Sequence, residues 1–173
     1  MSTDVSSSAR RTVTFERTFD ASIEEVWDLW ATKEGIESWW GPDGFVVKVQ
    51  RLELRPGGEL RYTMTAIAAD QMDFLRKAGM PLTTDTRARY TEVDPPRRLA
   101  YSTVTDFIPD ITPYEAATLV ELFPIASGVK MVLTIDAMHD ERWTQLAVMG
   151  WENELGKLAK VIALRASRGD AMR

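Results

Sequence analysis

One long stretch of helical periodicity closes this chain, and nearly everything before it alternates with the period of a strand. From Glu141 to about Ser167, Trp143, Ala147, Trp151, Leu155, Leu158 and Ile162 recur at the spacing of one helix face, with Asp140 placed to cap the start. Before it, period-two patterns run over residues 12–19, 45–54, 59–66, 87–93, 98–107, 114–123 and 129–138. An antiparallel sheet that hides one face needs a cover, and only the last helix is long enough to supply it. An α+β domain with the helix laid on the sheet is the expectation.

Two shorter helices interrupt the strands. Ser22 and Glu25 have capping-box spacing, and Ile23, Val26, Trp27 and Trp30 form an apolar stripe behind them. Thr32 caps a second helix that ends in "GIESWWGPDGF", where two tryptophans meet a Gly-Pro turn. Adjacent helical residues point roughly 100° apart, so Trp39 is expected in the core and Trp40 at the mouth of a cavity. Residue 17 is an arginine on the apolar side of the first strand, which predicts an exposed strand end. Between residues 68 and 85 the strands pause. "ADQMDFLRKAGMP" predicts a short amphipathic helix with Met72, Leu75 and Phe74 inward, stopped by Gly79 and Pro81.

Composition removes several function classes. A net charge of -5 argues against nucleic acid, whose phosphates call for a basic surface. The chain has no cysteine and a single histidine, which excludes disulfides, thiolate chemistry and His-rich zinc sites, and no metal or cofactor is expected. No apolar run reaches the roughly 18 residues of a membrane span. Residues 1–11 lack the apolar core of a signal peptide and read as a disordered tail, with a cytoplasmic location as the default. Residues 12–168 read as one domain with neither repeat nor linker. "RPGG" lacks the lysine and the length of a phosphate-binding loop.

Tyr62, Met64, Tyr101 and Thr103 fall on the strand sides that carry apolar neighbours, as does Thr118. In a packed core their hydroxyls need partners; in a cavity they orient a ligand's polar end. Both readings stay open. His139 is the obvious acid–base candidate by its ordinary pKa, but no Ser, Cys or carboxylate stands in a catalytic spacing with it. Asp106, Asp110 and Glu115 read as an exposed acidic loop. Gly150, inside the long helix, needs a reason, since glycine there costs about 1 kcal/mol against alanine. Close approach to the sheet and room for a ligand are the two reasons available.

The pieces "FDASIEEVWDLWATKEGIESWWGP", "LELRPGGELRY", "YTEVDPPRRLAYS" and "MGWENELGKL" together resemble the START-like (SRPBCC, helix-grip) superfamily, in the branch named for the activator of the Hsp-90 ATPase. The resemblance implies a curved antiparallel sheet gripping the C-terminal helix around an apolar cavity. Members bind lipids, hormones, polyketides or other hydrophobic molecules, and a minority are enzymes. A small hydrophobic ligand is therefore expected between sheet and helix, walled by Trp40, Tyr62, Met64, Tyr101, Thr103, Trp143 and Trp151, with the 68–85 insertion as a lid. A cyclase or hydrolase using His139 and a chaperone-associated interaction module are the alternatives, and a homodimer is compatible with any of them.

Overall fold

The computed structural model describes residues 11–106, 108 and 110–171, the last three as backbone alone. The element order is β1 (Thr12–Phe19), α1 (Ile23–Ala31), α2 (Lys33–Trp39), β2 (Phe45–Leu52), β3 (Glu59–Ala66), α3 (Ala69–Lys77), β4 (Thr83–Asp94), β5 (Arg98–Thr105), β6 (Tyr114–Ile125), β7 (Gly128–Asp136) and α4 (Glu141–Ala171). The strands form one antiparallel seven-stranded sheet in the order β1-β7-β6-β5-β4-β3-β2. The α1–α2 pair therefore links the two edge strands. Register slips at Val49/Arg51 and Tyr90/Glu92 insert one extra residue in β2 and in β4, the local device that increases twist and bends a sheet.

The caps form as the spacing predicts. Ser22 accepts from the Glu25 N–H at 3.2 Å, Thr32 from Gly35 at 3.0 Å and Asp140 from Trp143 at 2.8 Å. Gly79, at φ +70°, closes α3: its N–H reaches the Arg76 carbonyl while the Met80 N–H reaches that of Leu75. This is a Schellman motif, which satisfies carbonyls a helix end leaves orphaned. The core lies between the inner face of the sheet and the helices. Leu60, Tyr90, Leu99, Val120, Met131 and Leu133 contribute from the sheet, and Trp30, Trp39, Leu155, Leu158 and Ile162 from the helices.

Several expectations are corrected. The expected tail lies outside the described residues except for Arg11, which is part of the fold: its carbonyl accepts from Ala137 and its guanidinium pairs with Glu141. Arg17 is half-exposed and forms a surface ion pair with Glu152 on α4, but the strand end is not exposed throughout, since Phe19 beyond it is buried. Strand β4 begins at Thr83 rather than residue 87, because Thr83, Thr84, Asp85 and Thr86 pair in register with β3 despite having no apolar alternation. Phe107, expected to end β5, is outside the described residues, and β5 ends at Thr105. On α3, Met72 and Leu75 are half-buried, but Phe74 points out and is 65% exposed.

Gly150 has neither of its two expected reasons. A methyl group at its Cα would meet no atom within 4 Å, so the sheet does not approach, and Gly150 does not border the cavity described below. Gly150→Ala should then stabilise the fold by about 0.5–1 kcal/mol through reduced backbone entropy of the unfolded chain. Chemical denaturation of the two proteins measures this, and a destabilised variant would reveal a packing demand at that position.

Candidate functional site

The site begins at the corner where α2 ends. Trp39 is fully buried, packs edge-on against Trp30 at 4.7 Å between ring centroids, and donates its indole N–H to the Leu29 carbonyl at 2.8 Å. Leu29 lies in the last turn of α1, whose carbonyls lack helical partners. Trp39 is thus a structural residue that closes one helix onto another. Trp40 leaves the helix with extended backbone angles, φ -67° and ψ 152°, and turns its ring toward the sheet. There it meets Tyr62 edge-on at 5.3 Å and lies 6.0 Å from Tyr101. It is 6% exposed, so it forms an inner wall rather than the expected mouth.

The turn after Trp40 is held by α4. Gly41 and Gly44 both have positive φ, +85° and +90°, where a side chain is strained; a methyl group on Gly44 would also sit 2.9 Å from Ala68 and Gln71. The Gly41 N–H is donated to Glu154 Oε1 at 2.7 Å, and Lys157 Nζ donates to the Gly41 carbonyl at 2.7 Å. Asn153 grips Asp43 twice, through the Asp43 N–H at 2.7 Å and the side chains at 3.1 Å. Two turn residues, Gly41 and Asp43, are thereby fixed to the long helix.

Behind this latch lies a cavity of about 230 Å³ between the sheet and α4. Trp40, Tyr62, Met64, Tyr101, Thr103 and Trp151 border it, with Thr118, Ile135, Asp136, Met138, Ala147 and Glu154. All the expected wall residues meet there except Trp143. That residue stands one helical turn nearer the start of α4, 6.0 Å from the His139 ring. A second space of about 340 Å³ shares Tyr62, Met64 and Thr103 as walls and is otherwise enclosed by Phe45, Leu75, Met80, Pro81 and Leu82 among others. The α3 segment therefore lies over an apolar cleft beside the inner cavity.

Electrostatics single out a residue that the sequence reading missed. Desolvation pushes the Glu154 carboxyl up to about 7, only partly offset by the Gly41 N–H and the Lys157 charge. Burial raises the Tyr62 phenol strongly, with the Glu154 charge adding to it and the Thr86 hydroxyl opposing. Tyr101 is raised too, chiefly by burial, then by Tyr62 and Glu154, with Thr118 opposing. Thr86 and Thr118 stand directly across the strands from these two tyrosines. Both phenols stay protonated at neutral pH, and Glu154 is the group poised to change charge. Its signal was present: Glu154 lies three residues after Trp151 and four before Leu158, on the inward stripe, where an acid is out of place.

His139 does not border the cavity. Its Nδ1 lies 3.0 Å from the Tyr114 hydroxyl and its Nε2 3.5 Å from Asp140, in a shallow cleft with Arg11 and Glu141. Asp106, Asp110 and Glu115 are exposed. Among the described residues no cluster of three His, Cys, Asp or Glu side chains could hold a metal ion, and no helix is long and apolar enough to cross a membrane.

A curved antiparallel sheet closed over a long C-terminal helix is the helix-grip architecture. Residues 20–163 match the family described as Activator of Hsp90 ATPase homolog 1-like protein, and the chain belongs to that family. Among curated proteins none matches it. Solved structures share the fold. An AHSA1 protein of Silicibacter pomeroyi is 20% identical with a TM-score of 0.71, over 90% of this chain and 99% of that one. A protein of Chromobacterium violaceum is 22% identical with a TM-score of 0.70, over 87% and 96% of the two chains. An AHSA1-like protein of Aeromonas hydrophila, solved by NMR, is 20% identical with a TM-score of 0.68, over 90% and 94%.

Proposed function

We propose that this protein binds a small, largely apolar molecule in the cavity between its sheet and α4. The observation that carries this is the convergence of Trp40, Tyr62, Met64, Tyr101, Thr103 and Trp151 on one space of about 230 Å³. Apolar walls with a few convergent polar groups are what a small-molecule site requires. In this reading the α3 segment serves as a lid over the adjoining cleft. Its helix buries no residue fully, so little packing energy opposes its movement.

Native mass spectrometry of protein purified from the cells that express it, followed by denaturing extraction, tests the proposal. A stoichiometric small molecule is expected, with faster exchange when residues 69–81 are replaced by a short Gly–Ser turn. Unchanged exchange would remove the lid, and an added protein mass would favour an interaction module instead. An enzymatic reading now passes from His139 to Glu154, because a carboxyl poised near neutrality beside two phenols suits proton transfer. A protein isolated empty, whose turnover of a transient substrate is lost in Glu154→Gln, would establish it.

A further inference from the structure

The polar chemistry of the inner cavity is one-sided. Its charged wall residues are Glu154 and Asp136, both acids, and neither lysine nor arginine borders it. Lys157, the nearest cation to Glu154 on the same helix, is turned to the Gly41 carbonyl on the latch side. Asp136 Oδ2 accepts from the Ala117 N–H at 2.9 Å. Glu154 Oε1 accepts from Gly41, which leaves Oε2 as the acceptor available to a ligand.

Around these acids stand four aromatic rings, from Trp40, Tyr62, Tyr101 and Trp151. They are mutually braced: Trp40 packs edge-on to Tyr62, and Trp151 stacks on Trp30 at 6.1 Å. Ring faces carry negative potential and attract cations, the more so away from water. An anionic ligand would be repelled by both acids, and a neutral one would add no charge to the partial compensation that Gly41 and Lys157 give Glu154.

We infer that the inner cavity selects an organic ammonium ion, its N–H groups donated to Glu154 and its carbon body held among the four rings. This rests on the cavity-binding reading above and adds the chemical class of the ligand. The shared walls Tyr62, Met64 and Thr103 let an apolar extension of the ligand run into the cleft beneath α3. Burial that disfavours a lone carboxylate at Glu154 is relieved once a cation sits beside it. Binding then draws Glu154 into its charged form and releases a proton where the free protein holds one. The titratable groups facing Glu154 are Tyr62 on β3, Tyr101 on β5 and Asp136 on β7, with Lys157 on α4 itself. The two phenols stay protonated across the range concerned.

The test uses three probes of one shape: 2-phenylethylamine, 2-phenylethanol and 3-phenylpropanoate, titrated calorimetrically into the full chain. At about pH 8 the amine is expected to bind at least about tenfold more tightly than the alcohol, and the acid more weakly than either. Near pH 5.5, where Glu154 holds its proton, the preference for the amine should shrink severalfold. Glu154→Gln keeps an acceptor for Gly41 and removes the charge, so the amine should lose its advantage over the alcohol. The pH comparison needs no variant and stands even if Glu154→Gln folds poorly. Alcohol binding without amine preference overturns the inference and spares the cavity. Amine preference that survives both Glu154→Gln and acid pH overturns the role of Glu154. Failure of all three probes to bind overturns the ammonium reading, while a small molecule retained on native purification would still support the cavity.

Discussion

Glu154→Gln is expected to stabilise the ligand-free protein at about pH 8 and to leave its stability nearly unchanged at about pH 4. The folded carboxyl has its pKa pushed up to about 7, against an ordinary value of 4.5. Between these values the folded state holds a proton that the unfolded state has lost, so stability falls as pH rises through that window. Above it the penalty is complete. A tenfold change in proton affinity is worth roughly 1.4 kcal/mol, so the whole penalty is at most about 3.5 kcal/mol. Glutamine keeps an oxygen for the Gly41 N–H and never ionises. Urea unfolding of both proteins at the two pH values isolates this residue, because all other titrations cancel in the difference. Parallel pH dependences would show that Glu154 reaches more water than its position between α4 and the sheet implies.

The adjacent tryptophans should respond unequally to the same substitution. Trp39→Phe shrinks a fully buried ring and removes the donor that serves the Leu29 carbonyl at the end of α1. Together these should cost about 2–3 kcal/mol. Trp40→Phe removes similar ring area, but among the described residues the Trp40 indole N–H has no hydrogen-bond partner, so no such bond is lost with it. A cost below about 1.5 kcal/mol is expected there, with the larger effect on ligand binding. Denaturation midpoints and ligand titration of the two variants make the comparison. Equal costs would remove the division of labour between core and wall.

Much of this was legible in the chain because it depends on near neighbours. Ser22, Thr32 and Asp140 cap helices through residues three positions away, and Gly79 closes α3 through its own last turn. The alternation at Tyr62, Met64, Tyr101 and Thr103 assigned those side chains to the inner face before any partner was known. The errors fall where distant contacts override the local pattern. Thr83–Thr86 look like loop and become strand because β3 offers an edge to pair with. Arg17 looks like the end of a buried run, but Phe19 beyond it is buried while Arg17 itself pairs at the surface with Glu152. Trp143 has the spacing of a cavity residue but lies beyond its end.

The sequence by itself determined the elements, their caps, the inward faces and the split between a core Trp39 and a wall Trp40, since short-range periodicity and capping chemistry specify these. Only the tertiary structure decided that Glu154 becomes the desolvated acid of the cavity, poised to change charge near neutrality. That depends on the Gly41–Gly44 turn crossing α4 more than a hundred residues away in sequence. It depends equally on two tyrosines from separate strands closing the space around the carboxylate. Desolvation is a property of everything that surrounds a group, and a linear pattern records only the group itself.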